Sequence, residues 1–121
     1  MKRPSHKELN NKILQARDAI SKGLVSILDP IVIATDAIAL GYLVKEINEV
    51  LLELLDELRP DYYAGRYPPQ KSYEQDIKKS ELFAFRWTSQ KFGCETYFKF
   101  AFAQGRLCII SLHEHKKNKG G

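Results

Sequence analysis

ELFAFRWTSQKFGCETYFKFAFAQGRLCIISLHEH, residues 81–115, is the stretch that decides the fold. Its apolar side chains recur every second residue, and the pattern is interrupted by loops holding Gly93 and Gly105. Alternation with period two marks a strand, and short glycine-containing loops turn one strand back on the next. The stretch therefore predicts three strands, ELFAFRWTS, CETYFKFAFAQ and RLCIISLHEH, in an antiparallel meander. Alternation also sorts the side chains by face. One face collects Phe83, Phe85, Trp87, Phe98, Phe100, Phe102, Cys108, Ile110 and Leu112, and is expected to bury against helices. The other collects Arg86, Thr88, Tyr97, Lys99, Ser111 and His113.

The helices lie upstream. Leu9, Ile13, Ala16, Ile20 and Leu24 repeat at helical spacing, and Ser5 with Glu8 forms a capping box at the start. In "LDP", Asp29 suits a cap and Pro30 a first helical position. A second helical stretch follows and strengthens after Gly41, with Leu43, Ile47, Val50, Leu51, Leu54 and Leu58 as one apolar stripe, until Pro60 ends it. Between them and the strands, residues 59–80 carry no strong period, although Ser72 and Gln75 predict a short helix near 73–79. The expected fold is one α+β domain over residues 1–121. Residues 1–58 form a helical hairpin packed on a three-stranded or larger antiparallel sheet at 81–115, and residues 116–121 are a tail.

Charge is divided unequally. Residues 1–58 hold seven Lys/Arg against nine Asp/Glu, a net of −2, and residues 59–121 hold twelve against six, a net of +6. A basic half suggests a polyanionic partner, nucleic acid first, or else a lysine-rich solvated surface. The longest greasy run, IVIATDAIALGYL, is 13 residues with Asp36 inside it, too short to span a bilayer. Two cysteines without CxxC spacing and a polar amino end predict a cytoplasmic protein that uses no membrane.

Three groups of residues are candidates for chemistry. Tyr62, Tyr63 and Tyr67 interleave with Arg59 and Arg66, a composition that either stacks on single-stranded bases or covers the end of a core. On the polar sheet face, Arg86 and Lys99 are two cations that can hold a phosphate. His113 can exchange a proton, and Tyr97 can stack on a base. Cleavage of RNA through its own 2′-hydroxyl needs only such groups; a merely solvated sheet face would have the same composition. Finally, His113 and His115 flank Glu114 and point to one side of a strand. Two ligands are too few for a structural or catalytic zinc site, so no metal and no cofactor is expected.

The strands ELFAFRW, TYFKFAF and CIISLHEHKKNKGG resemble the carboxyl half of the RelE/ParE toxin superfamily, especially its HigB-like branch. There a strand of type L-x-E-L-R precedes one of type Y-R-x-x-F and one ending L-L-H-x-F-x-K-K. Arg86 matches the arginine of the first. Tyr97 and Lys99 fall near the aromatic and basic positions of the second, and His113, Lys116 and Lys117 match the third. The resemblance implies a ribosome-dependent mRNA endoribonuclease neutralised by a cognate antitoxin. It covers about a third of the chain. Family members open with a strand where this chain opens with a helix, and Ala84 stands where the family has an acidic residue.

Two functional readings follow. In the first, the protein is a metal-independent endoribonuclease of a toxin–antitoxin pair acting on RNA, ribosome-bound mRNA included. Arg86, Lys99 and His113 are then catalytic, and Tyr97, Lys116, Lys117, Arg66 and Tyr67 bind substrate. In the second it is a non-enzymatic interaction module, a homodimer formed through a helix or a sheet edge, that binds RNA or an acidic protein.

Overall fold

The computed structural model describes residues 4–66, 69–72, 74 and 77–115. Three α-helices precede most of a four-stranded sheet. The helices are α1 (His6–Ser21), α2 (Pro30–Leu40) and α3 (Ile47–Glu57), with β1 (Val25–Ile27) between the first two. Short 3₁₀ turns at Val44–Glu46 and Pro60–Tyr62 bracket α3, and β2 (Phe83–Ser89), β3 (Cys94–Ala103) and β4 (Arg106–Glu114) follow. No helix among the described residues is long and apolar enough to cross a membrane.

Local sequence explains most boundaries. Ser5 Oγ accepts from the Glu8 amide at 3.1 Å and donates to the Glu8 carboxylate at 3.2 Å, so this pair fixes the start of α1. Asp29 Oδ1 accepts from the Val32 amide, with Pro30 in the first turn of α2. Gly41 adopts a left-handed conformation (φ 89°) and ends α2, so the expected second helical stretch is two helices divided at that glycine. Leu43 consequently lies outside α3 and is exposed, while Leu55 joins Ile47, Val50, Leu51 and Leu54 in the core. The expected short helix near 73–79 falls partly outside the described residues, Gln75 included.

The sheet order is β1-β4-β3-β2. β2–β3 and β3–β4 are antiparallel, as the alternation predicts, and the strand limits lie within two residues of the expected ones. The Gln104–Gly105 turn has positive φ at both residues (54° and 73°), matching the twist of a two-residue hairpin. β1 is an addition. It pairs parallel with β4, Ser26 opposite Cys108, and makes the sheet mixed. Three residues of half-buried VSI carry too little alternation to be recognised as a strand.

The inner face packs on the helices. Phe83, Phe85, Trp87, Phe98 and Phe100 join Leu9, Ile13, Leu51 and Leu54 in one core, and Phe85, Phe98 and Phe100 are completely buried. Phe102 is half-buried beneath the Lys12 ammonium, 5.6 Å from its ring. β4 departs from the expected partition. Lys99 lies opposite Ser111 but Phe100 opposite Ile109, a register shift that gives β4 one extra residue. The bulge reverses the alternation at Ile110. Leu107 and Ile109 enter the helical core, whereas Cys108 and Ile110, expected on that face, pack on the outer face with Ala101 and Ile77.

Candidate functional site

The outer face is divided by the segment that follows α3. Tyr63 bridges to Phe85, the Ala64 amide donates to the Ala84 carbonyl at 2.8 Å, and the Leu82 amide donates to the Gln70 carbonyl at 2.7 Å. The segment thereby runs along the free edge of β2. Farther on, Ile77 is 4% exposed and packs over Ala101 and Cys108. The β1 side of the face is thus covered by apolar contact, and the other side stays open.

The open part holds one cross-strand row. Arg86 is opposite Tyr97, and Tyr97 is opposite His113, so three expected residues lie side by side on β2, β3 and β4. The Tyr97 ring stacks on the His113 imidazole with centroids 5.3 Å apart. Burial pushes the Tyr97 phenol above its ordinary pKa, and the Arg86 charge only partly offsets this, so the hydroxyl stays protonated at neutral pH. Arg86 Nε lies 3.4 Å from Glu95 Oε1. His113 Nδ1 lies 2.9 Å from the Glu114 carbonyl oxygen. A carbonyl only accepts, so Nδ1 is the donor in this bond and Nε2 is the ring nitrogen left outside it.

One row along, Lys99 and Tyr97 line a cleft of about 230 Å³ together with Arg66, Gln70, Ala64, Gly65 and Ala84. Tyr63 shapes this cleft from beneath. Its ring is buried edge-on against Phe85, and its hydroxyl donates to the Arg66 carbonyl at 2.6 Å. A Cβ at Gly65 would lie 2.5 Å from that hydroxyl, so glycine is what lets the chain cross the ring at that point. Two cations, an amide and a phenol around a small cleft suit an anionic group of phosphate size. A larger cleft of about 440 Å³ lies at the covered end, beside Ile77, Arg106 and Cys108. There Arg106 is committed to the fold, donating to Ser26 Oγ and to the Val25 carbonyl, each at 2.8 Å. The smaller cleft is therefore the better anion site.

The sequence expectations divide accordingly. Arg86, Tyr97 and His113 share a row, and Arg66, Tyr97 and Lys99 share a cleft. Tyr67, Lys116 and Lys117 lie outside the described residues. Among the described residues, no three His, Cys, Asp or Glu side chains cluster as metal ligands, and the His115 amide continues the ladder to the Glu95 carbonyl at 2.8 Å. Of the tyrosines, Tyr63 covers the core and Tyr62 stacks on Trp87.

No protein-family model matches the chain, and no curated protein matches it either. The resemblance to RelE/ParE toxins thus stands on its strand motifs alone.

Two residues were not singled out from the sequence. Glu95 follows from the same alternation as Tyr97 and Lys99, which puts its carboxylate beside Arg86. Gln70 reaches the cleft only through the path of an aperiodic segment, for which no sequence signal exists.

Proposed function

We propose that this protein is a small RNA-directed endonuclease that works without a metal ion, of the kind found as the toxin of a toxin–antitoxin pair. The observation that supports the reading is the juxtaposition of the Arg86–Tyr97–His113 row with the Arg66–Lys99 cleft on the polar half of the outer sheet face. In this reading Arg86 and Lys99 hold the scissile phosphate and stabilise the charge that develops on it. Glu95 steadies Arg86, Tyr97 orients a base, and Arg66 adds a further cation beside Lys99. Tyr67, Lys116 and Lys117 are the remaining substrate-binding residues of this reading. His113 Nε2 takes the proton of the 2′-hydroxyl, and the 2′-oxygen attacks phosphorus as the bond from phosphorus to the 5′-oxygen breaks. The leaving 5′-oxygen takes a proton from solvent water, and His113 returns its proton to solvent. The products are a cyclic phosphate and a free 5′-hydroxyl. The reading places the protein in the cytoplasm, with ribosome-bound mRNA as substrate and a cognate antitoxin as inhibitor.

The test is cleavage of translated mRNA, with and without ribosomes, by wild type, Arg86→Ala and His113→Ala. Both variants are expected to lose most of the cleavage while keeping the wild-type melting temperature. Binding to single-stranded RNA is expected to weaken steeply with salt. If wild type cuts nothing in either setting and does not slow growth on expression, the endonuclease reading is wrong. The second reading, a non-catalytic interaction module that binds RNA or an acidic protein, then takes its place. That alternative is favoured by one observation of its own, the exposed apolar surface of α2.

A further inference from the structure

We propose that the outward face of α2 joins two copies of this chain in a two-fold antiparallel dimer. This specifies the contact of the dimer considered above and is independent of the RNA reading, because α2 lies on the helical side of the sheet. Ile33 and Ala37 turn inward and are buried, whereas Ile31 and Ile38 are each 79% exposed. Ile31, Ala34, Thr35 and Ile38 are spaced i, i+3, i+4 and i+7, which is one continuous stripe. Val32 flanks the stripe, and Leu43 and Val44 lie exposed just beyond the helix. These side chains leave on the order of 500 Å² of apolar surface in water, within the range at which a patch marks an interaction site. Thr35 does not spoil the stripe. Its hydroxyl donates to the Ile31 carbonyl at 2.9 Å, so it can leave water with its hydrogen bond made.

Three features favour a second copy as the occupant. First, the sheet edges offer little room for association: Tyr63 and Ala64 pair with Phe85 and Ala84 of β2, Gln70 and Lys71 pair with Leu82 and Glu81 just before it, and β1 is only three residues long. Second, the stripe is self-complementary. A two-fold axis between Ala34 and Thr35 brings Ile31 of one copy onto Ile38 of the other, with small residues at the crossing. Third, the charges at the two ends are complementary. The same arrangement carries Asp29, at the start of one helix, toward Lys45, just past the end of the other. Lys45 forms no ion pair among the described residues. The opposed helix dipoles agree with this orientation. So small a contact predicts a weak dimer, with Kd on the order of micromolar to tens of micromolar.

Sedimentation velocity on the full chain over a concentration series tests this. Wild type is expected to pass from monomer to dimer as concentration rises. Ile31→Glu with Ile38→Glu sets like charges against each other across the axis and should weaken association at least about 30-fold. Both residues are exposed, so circular dichroism and melting should be unchanged. Lys45→Glu should weaken the dimer by a smaller factor, about two- to fivefold, set by a rim charge pair. A wild type that stays monomeric at several hundred micromolar, roughly tenfold above the expected Kd, overturns the proposal. So does a folded double variant that dimerises as wild type does.

Discussion

The inner face of the sheet is a continuous aromatic layer pressed against helices, while the outer face is split between an apolar patch under Ile77 and a polar strip from Arg86 to His113. Both faces are built by the same three long strands. They differ in what covers them. Helices cover the inner face, α1 and α3 with a clear 3.6-residue period, and an aperiodic segment covers part of the outer one. A face covered by periodic elements can be read from alternation alone, whereas the outer face depends on where one loop lies.

The inner face should be the less forgiving. Phe100 is fully buried, with the rings of Phe83, Phe85, Phe98 and Phe102 centred between 5.1 and 6.0 Å away. Phe100→Ala is expected to cost about 3–5 kcal/mol, read from urea melts, through lost burial and the cavity left behind. Ile77→Ala removes the side chain that pins the covering segment, and should cost less, about 2 kcal/mol. It should also raise amide exchange at Ser72 and Leu82 before it does so in the strands. If Ile77→Ala cost as much as Phe100→Ala, the two faces would not differ as described.

Those two residues also separate what the sequence disclosed from what it did not. Alternation places Phe100 correctly because it persists along β2 and β3. It places Cys108 and Ile110 on the wrong face because one extra residue in β4 inverts the pattern, and no residue in CIIS announces a bulge. Nothing in the sequence marks Ile77 as the cover, since its segment has no period. The candidate site was legible to the extent that it depends on alternation, namely Arg86, Tyr97, Lys99, His113 and, by the same logic, Glu95. Arg66 was expected from composition. The company it keeps around Lys99 depends on the Tyr63 hydroxyl and on Gly65.

Glu57 ties the helices to the turn between β2 and β3, and sharpens the comparison through pH. Its carboxylate accepts from Trp87 Nε1 at 2.8 Å and from the Lys91 amide at 3.0 Å. Burial would raise its pKa, but hydrogen bonds from Trp87, Lys91, Ser89 and Gln90 outweigh burial and hold it below the usual carboxylate value. The folded state therefore releases this proton more readily than the unfolded chain. The resulting stability is present above the unfolded pKa and is lost as pH falls through the folded one. Glu57→Gln should cost about 1–2 kcal/mol at neutral pH and flatten the acid limb of a melting-temperature profile. An identical acid limb in the variant would show that the carboxylate is not what ties α3 to this turn.

The smallest effect on stability is expected on the polar strip. Arg86 is half exposed and its ion pair with Glu95 is accessible to water, so Arg86→Ala should change stability by no more than about 0.5 kcal/mol. A loss comparable to that of Ile77→Ala would make the strip structural and remove the contrast between the two halves of the outer face.

Amide chemical-shift mapping with a short single-stranded RNA at low salt tests the central claim, that the open half of the outer face is the nucleic-acid site, most directly. Perturbations are expected at Arg66, Arg86, Tyr97, Lys99 and His113, weakening with added salt, and none at Ile77, Ala101 or along α2. Perturbations confined to the Ile77 end or to the helices, or none at any RNA concentration, would contradict it.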